Sequence, residues 1–538
     1  MNREGRVLVV DDLERWRNAL AVTLQRERFY TDSVSTAGEV LERLSQTLYH
    51  LLILDIRLVD SDPSNTEGIS LLQELDRRGL SKATAVIILS GYGTLEHMRR
   101  AFRDYEVADF LEKDQFSPQT FLESVKQVFA HKVKINLALD IQWQQVKRSE
   151  EVVVSLEISG VRLKRNPALQ SQIAFELDDL LCRLFYKASN VLVRPMEIGQ
   201  SSTGVLWVQP FYTSGGGRAV IVKFGDFDKI QEEYANFKQY VQPFVGGGRN
   251  TMVLELRRTP RLGGIIYSLL GAASDRLENF GSYYRHSSVP EINAMLNHLF
   301  LDTCSAWYAN AGRLQPYDLT KDYQHMFGFT LEKLEHALLE LRKHVQGEQK
   351  LVFKSLSSER AFTNPLLALN GPPLIRPTYT CITHGDFNQH NVLVDTAGHT
   401  WLIDFQATGQ GHILRDVAQL DSEIRFFLLA PEEVTLEERL KMEEVLCSPE
   451  RFSQVEHLEQ ALLTENQSLA KAYAVVVHLR TLARKLVAQN PGDDISEYYI
   501  AMFYNAMNTL RFYRLPSSQR EHSLLCASLL ADRLELRS

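Results

Sequence analysis

Residues 49–60 read YHLLILDIRLVD, a short unbroken apolar run that stops at Asp55. A strand with one wet face alternates polar and apolar side chains, so a continuous run predicts a strand buried on both faces. Its surroundings repeat the pattern. RVLVVDD (6–12) is an apolar strand ending in Asp11 and Asp12, ATAVIILSGYG (83–93) carries Ser90 at its end, and VADFLEKD (107–114) carries Lys113. FYTDSVS (29–35) is more polar and suits a sheet edge. A helix is predicted from about Leu13 to Arg26. Apolar strands alternating with helices predict an α/β domain built on a doubly wound parallel five-stranded sheet.

Such sheets place their chemistry beyond the carboxyl ends of the strands. A single polar residue there means little, because strands end where water begins. Five such residues at the ends of four strands, three of them carboxylates, mark a site. Clustered carboxylates repel and raise one another's pKa unless a cation neutralises them. Mg²⁺, which takes one or two carboxylates plus waters and phosphate oxygens, suits the set.

In VLVVDD, LILDIRL, ILSGYG and FLEK, taken in order, residues 1–130 resemble a two-component response-regulator receiver domain, which is flavodoxin-like. The resemblance implies that Asp55 is the phosphoacceptor, taking a phosphoryl group from a phosphohistidine donor. It implies Mg²⁺ held by Asp12 with Asp11, Asp55 and the Arg57 backbone carbonyl. Lys113 would pair with the acyl phosphate and Ser90 would hydrogen-bond it, with Phe110 as the switch aromatic. Two features depart from the pattern. The loop RLVDSDPSNTEG (57–68) is long and acidic, and Asp114 replaces the proline that usually follows the lysine.

The whole chain has 538 residues, enough for roughly three or four units at about 150 residues each. With 44% apolar and 23% charged residues, its composition is that of a globular protein. A net charge of −8 offers no basic footprint for nucleic acid. Five scattered cysteines, never in C-x-x-C spacing, argue against a disulfide framework or zinc site and for a reducing compartment. The N-terminus lacks a secretory apolar region. The run GGIIYSLLGAA (263–273) is far shorter than the stretch of about 20 residues needed to span a bilayer. These features predict a cytoplasmic protein with no membrane span and no nucleic-acid partner.

Residues 131–167 form a connector without Gly/Pro linker composition. KINLALDIQWQQV is compatible with an extension of the last receiver helix or with a short strand, and EVVVSLEI (151–158) is β-branched and strand-like. From Ala168 to about Lys187 an amphipathic helix is expected, with Leu169, Ile173, Phe175, Leu177, Leu180, Leu181, Leu184 and Phe185 as its apolar positions. VLVRPMEIGQSSTGVLWVQPFY (191–212) then reads strand, turn, strand. Gly199 and Gly204 bracket a turn containing Ser201, Ser202 and Thr203, which offers N–H groups and hydroxyls to an anion. An ordinary β-turn explains it equally well, and there is no Walker A loop. A further strand carries Lys223, and DFDKIQEEYANFKQYVQPFV (226–245) reads as a helix whose Glu233 can reach it. TMVLELRRTPRLGGIIYSLLGAA (251–273) adds two strands. The expected lobe has five strands, with one helix after the third.

Downstream lie THGDFNQHNVLVD (383–395) and WLIDF (401–405). In this order the segments resemble the aminoglycoside-phosphotransferase and protein-kinase group, over roughly residues 168–538, with His-Gly-Asp as in the aminoglycoside branch. The resemblance implies a bilobal α+β kinase-like fold with a small β-rich N-lobe (168–275) and a large helical C-lobe (276–538). It implies Asp386 as catalytic base, Asn391 and Asp404 as Mg²⁺ ligands, and Lys223, positioned by Glu233, on the phosphates of ATP. His384 is expected to be structural, and Arg415 and Asp416 to anchor the loop. The segment DVAQLDSEIRFFLL (416–429) looks helical, so the following Ala-Pro-Glu reads as a helix end and not as the close of an activation loop. Gln406 stands where protein kinases have glycine.

Together the two resemblances imply a bacterial signalling protein. A sensor histidine kinase or phosphotransfer protein would phosphorylate Asp55, which controls an ATP-dependent phosphotransferase acting on an acceptor the sequence does not name. The alternative is a phosphorylation-gated pseudokinase scaffold that binds nucleotide or a protein without turnover. A homodimer would strengthen the coupling in either case.

Overall fold

The structure is a computed structural model that describes residues 4–59, 62, 65–91, 95–196, 203–244, 251–269, 277–328, 330–341, 349–353, 355–356, 360–369, 371–430 and 432–534. The chain divides into two compact units, one of residues 1–234 and 253–268 and the other of residues 235–252 and 269–538.

The first unit opens with β1 (Arg6–Val10), α1 (Glu14–Arg26), β2 (Tyr30–Val34), α2 (Ala37–Gln46), β3 (Leu51–Leu54), α3 (Glu67–Arg77), β4 (Ala85–Ser90), α4 (Leu95–Tyr105), β5 (Asp109–Glu112) and α5 (Pro118–Val128). The five strands are parallel, in the order β2-β1-β3-β4-β5. Alternate residues of one strand feed opposite cores: Leu8, Val10, Leu52 and Leu54 on one face, Val7, Val9, Leu51 and Ile53 on the other. That double burial is why the strands are continuously apolar, and β2, at the edge, is not.

After α5 come β6 (Asp140–Trp143), α6 (Ser149–Val153), the short pair β7 (Glu157–Ile158) and β8 (Val161–Arg162), and α7 (Pro167–Leu184). KINLALDIQWQQV thus resolves as a strand: β6 runs parallel to β9 (Asn190–Pro195). The strand reading of EVVVSLEI is corrected, because Ser149–Val153 is helical and only Glu157–Ile158 is extended. Val152 and Val153 are buried in the same cluster as Leu177 and Leu181 of α7. This tertiary packing outweighs the β-preference of valine. Phe175, counted among the apolar positions of α7, is 42% exposed and lies beneath the Arg6 guanidinium.

The remaining strands of this sheet are β10 (Gly204–Tyr212), β11 (Gly215–Gly216), β12 (Val220–Asp226), β13 (Thr251–Arg258) and β14 (Leu262–Leu269), with α8 (Phe227–Asn236) after β12. Its order is β13-β14-β12-β10-β9-β6, and β11 pairs with β10. The expected five strands therefore become seven, because the connector donates β6 and the turn after β10 adds β11.

His50, just before β3, meets α7 inside this unit. The Arg6 N–H donates to its Nδ1 at 2.9 Å, so the ring's proton sits on Nε2 and is given to Asp179 at 2.6 Å. Burial pushes the His50 pKa down despite the Asp179 charge, which agrees with a neutral ring. Arg183 Nε lies 2.7 Å from the other Asp179 oxygen. Burial alone would raise the Asp179 pKa, but the Arg183 and His50 partners outweigh it and hold the carboxyl below its usual range.

The second unit is mainly helical. The long helices Gln467–Leu486, Ser496–Thr509 and Ser517–Arg533 are buried along much of their length. LEKLEHALLELRKHV contributes helix Leu331–Leu341, with Leu334, Ala337 and Leu338 buried. Short strands Thr380–Thr383, Val392–Val394 and Thr400–Leu402 frame the His-Gly-Asp loop. Among the described residues no helix is long and apolar enough to cross a membrane, and all five cysteines are free and buried.

Asp179→Ala leaves Arg183 and His50 buried without their shared acceptor. The expected loss is about 3–5 kcal/mol of unfolding free energy, read by urea denaturation. A loss under about 1 kcal/mol, the range of an ordinary surface substitution, would show that the contact does not hold the unit together.

Candidate functional site

At the carboxyl ends of β1, β3, β4 and β5 the structure gathers all the residues expected there. The carboxylates of Asp11, Asp12 and Asp55 offer oxygens within 4.8 Å of one another. Asp55 is buried, and each of its oxygens has a partner: Ser90 Oγ donates to Oδ1 at 2.7 Å and Lys113 Nζ to Oδ2 at 2.6 Å. Lys113 also pairs with Asp11 at 2.5 Å. Burial raises the Asp11 pKa, with Lys113 and the Leu13 N–H pulling against it. The Arg57 N–H donates to Asp55 Oδ1 at 3.3 Å, which sets the Arg57 backbone beside the cluster. Phe110 on β5 is partly buried.

Arg17 was not singled out from the sequence. Its Nη1 donates to the carbonyls of Asp11 and Asp12 at 2.7 and 2.8 Å, fixing the backbone that aims both carboxylates. Its place one helical turn into α1 is the only signal that could have found it. Lys113 Nζ also lies 5.2 Å from the centre of the Trp16 ring, so an indole reports on this cation.

Elsewhere in the first unit, Lys223 of β12 and Glu233 of α8 form an ion pair at 2.7 Å, each 1% exposed. Tyr267 donates a short hydrogen bond to Glu233. A buried lysine survives charged only when so paired. Of the turn expected to face an anion, Gly199, Ser201 and Ser202 lie outside the described residues. Thr203 and Gly204 are buried, and a Cβ at Gly204 would overlap the Phe224 ring. Packing against β12 therefore accounts for this glycine.

In the second unit, the loop between Thr383 and Val392 is built around Asp386. Asn391 Nδ2 donates to the Asp386 carbonyl and to its carboxylate, both at 2.9 Å. The Ile403 N–H donates to the Asn391 carbonyl at 3.1 Å, which brings the Asp404 backbone alongside. Asp404 has φ 72°, a left-handed conformation uncommon for a residue with a Cβ. His384 is fully buried with its Nε2 3.1 Å from the Ile403 carbonyl, an architectural position. Gly385 takes φ 79°, and a Cβ there would overlap the Ala407 carbonyl oxygen. Only glycine fits both requirements.

Three side chains of one helix face hold this loop. From Arg415–Ser422 and the turn that continues it, Asp416 accepts the His384 and Gly385 N–H groups at 2.9 and 3.0 Å. Gln419 accepts from Phe387 N–H at 3.1 Å and donates to the Gly385 carbonyl at 3.1 Å. Glu423 accepts from Gln389 N–H at 3.3 Å. Arg415 pairs with Asp322 at 2.5 Å. Burial raises Asp416 to about 6 against its amide partners. Glu423 is raised to about 7, first by burial and then by the Asp386 charge. Sequence reasoning found Asp416 and missed Gln419 and Glu423. The i, i+3, i+7 spacing of polar residues on one face of an otherwise buried helix was the available signal.

Comparison with known proteins supplies the family. Residues 7–126 match the response regulator receiver domain, and residues 188–353 and 355–511 match Ternary complex associated domain 9. A putative NtrX-like response regulator of Rickettsia felis is 34% identical over 107 residues, 20% of this chain and 21% of that protein. The transcriptional regulatory protein ResD of Bacillus subtilis is 28% identical over 123 residues, 23% of this chain and 47% of ResD. The chain thus spans about a fifth to a half of the length of these relatives. A CheY-like receiver domain structure from Methanospirillum hungatei JF-1 has 24% identity and TM-score 0.21, covering 24% of this chain and 94% of that one. NtrX from Brucella abortus has 26% identity and TM-score 0.21, covering 24% and 27%. Residues 7–126 are a response regulator receiver domain, and with more than half of its length matched by that second family, the chain belongs to the Ternary complex associated domain 9 family.

Proposed function

We propose that this protein is a two-component signalling protein in which phosphorylation of Asp55 controls a kinase-like output in residues 168–538. The observation that carries the output reading is the buried Lys223–Glu233 pair at 2.7 Å, a lysine held charged and fixed in a β-sheet. The Asp386–Asn391 hydrogen bonds support it. On this reading residues 168–275 and 276–538 are the N-lobe and the helical C-lobe of a bilobal fold, joined to the receiver (1–130) by the connector 131–167, in a bacterial cytoplasm.

At the receiver, a sensor histidine kinase or phosphotransfer protein supplies a phosphohistidine. An Asp55 oxygen attacks phosphorus, the P–N bond breaks as the P–O bond forms, and the imidazole leaves with the N–P electron pair. Asp11, Asp12, Asp55 and the Arg57 carbonyl would hold Mg²⁺, which when bound neutralises charge on the carboxylates and the phosphoryl oxygens. The three clustered carboxylates fit that ion. Lys113 and Ser90, already on the two Asp55 oxygens, would move to the phosphoryl group.

At the output, ATP is the donor. Lys223 would hold its phosphates, Asn391 and Asp404 would hold Mg²⁺, and Asp386 would orient the acceptor hydroxyl and take its proton. Thr203 and Gly204 retain, in this reading, only a structural part of the phosphate turn. A phosphorylated Asp55 adds about two negative charges. Coupling between sites is typically about 1–3 kcal/mol, whereas inverting a 1:99 equilibrium takes about 5.5, so control is graded unless a homodimer multiplies it. The alternative, a phosphorylation-gated scaffold without turnover, is favoured by the family's description as associated with a ternary complex.

Mg²⁺ would compete with Lys113 for the carboxylates beside Trp16, so adding Mg²⁺ should change tryptophan fluorescence in the wild type but not in Asp12→Ala; an equal response in both counts against the site. Asp386→Ala lowers ATP turnover by about 10²–10⁴-fold, and Asp55→Asn removes its response to a phosphodonor. Background turnover in wild type and variant alike favours the scaffold. Glu423 binds its proton more tightly folded (about 7) than unfolded (4.5). Its contribution to stability is therefore intact below the unfolded value and lost as pH rises through the folded one. Urea denaturation of Glu423→Gln should show a loss smaller by about 3 kcal/mol across that window, and an unchanged slope would remove Glu423 as its source.

A further inference from the structure

A cleft of about 590 Å³ opens in the first unit at the amino ends of β4 and β5, the end of the receiver sheet opposite Asp55. Ala83, Ala85 and Ala108 form one wall, and Phe227 and Gln231 of α8, with the end of β13, form another. Six cations line it: Lys82, Arg103, Lys132, Arg183, Arg257 and Arg258. Only three carboxylates accompany them, and one of these, Asp104, is already engaged by Arg103 at 2.7 Å.

Two of the cations are built into the wall. Arg183 is 4% exposed; its Nε is used by Asp179 and its Nη1 by the Ala83 carbonyl at 3.1 Å, but its buried Nη2 has no hydrogen-bond partner among the described residues. Arg258 lies 3.6 Å from the centre of the Phe227 ring and donates to the carbonyls of Thr259 and Pro260, at 3.3 and 3.4 Å. Among the described residues no carboxylate forms an ion pair with it; burial holds its pKa down to about 10, with the Asp228 and Glu176 charges pulling against burial and the Arg183 charge adding to it. Lys82 and Lys132 stand exposed at the rim. A buried guanidinium nitrogen without an acceptor is costly, and a second guanidinium beside it, itself in no ion pair among the described residues, adds repulsion. An anion with several oxygens relieves both, and guanidinium groups match phosphate geometry. The cleft's size falls in the range that accommodates small-molecule ligands.

We propose that this cleft binds a diphosphate-bearing anion, with Arg183 and Arg258 as its inner contacts and Lys82 and Lys132 at its mouth. The site is separate from the phosphoacceptor and from Lys223. Its wall includes α8, the helix that carries Glu233, so an occupant would bear on the element that positions Lys223.

The test is calorimetric titration of inorganic pyrophosphate into the full chain in EDTA at low salt, where a Mg²⁺-dependent site does not contribute. Saturable binding, unchanged in Asp55→Asn and at least ten-fold weaker in Lys82→Glu/Lys132→Glu, is expected. Both lysines are exposed, so the double variant should fold, and an unchanged far-UV spectrum checks this. Absence of binding at millimolar pyrophosphate, or equal affinity in the double variant, overturns the proposal. An ADP titration separates a bare anion from a nucleotide, counting only the component lost in the double variant: ADP tighter than pyrophosphate assigns a nucleotide, and ADP no tighter assigns the bare anion.

Discussion

An ionised side chain taken out of water must find its counter-charge inside, and much of this protein is arranged around that constraint. Lys113 sits between Asp11 and Asp55, Lys223 faces Glu233, and Asp179 is held by Arg183 and His50. In each case at least one partner comes from a different element, so pairing the charge also fixes one element against another. Lys113 ties the end of β5 to the ends of β1 and β3. Glu233 ties α8 to β12. Asp179 ties α7 to the start of β3.

Where a buried carboxylate forms no ion pair among the described residues, the protein uses neutral donors. Asp416 has the N–H groups of His384 and Gly385, and Glu423 has that of Gln389. Their raised pKa values show that burial still outweighs these donors. The loop around Asp386 is therefore rigid because three side chains of one helix hold it at residues 384, 385, 387 and 389. Gly385 lets it approach the Ala407 carbonyl. A carboxylate placed on such a loop meets a reacting group with little reorganisation, which favours positioning over flexibility.

The receiver was legible in the sequence nearly to the residue. Its signals are local: each strand announces its double burial by an apolar run, and each functional side chain lies where its run stops. The Lys223–Glu233 contact was legible through the resemblance that ordered the motifs, since a strand lysine taken alone suits an exposed edge, and the structure buries it. What failed were segments whose state depends on distant packing. EVVV at 151–154 carries a strand-like composition, yet Val152 and Val153 find their core against α7 as a helix. Phe175 continues an apolar stripe, yet it faces out beneath Arg6.

The sequence by itself determined the period and burial of the strands, the residue types at their ends and the order of the motifs, because these depend on neighbours in the chain. Tertiary structure decided the rest. It recruited β6 from the connector into the second sheet and brought Arg17, Gln419 and Glu423 to the backbones they hold. It also collected six cations around one cleft from stretches spread between Lys82 and Arg258. Side chains so far apart in sequence carry no mutual signal until packing sets their distance, and distance is what fixes the strength of a charge or a hydrogen bond.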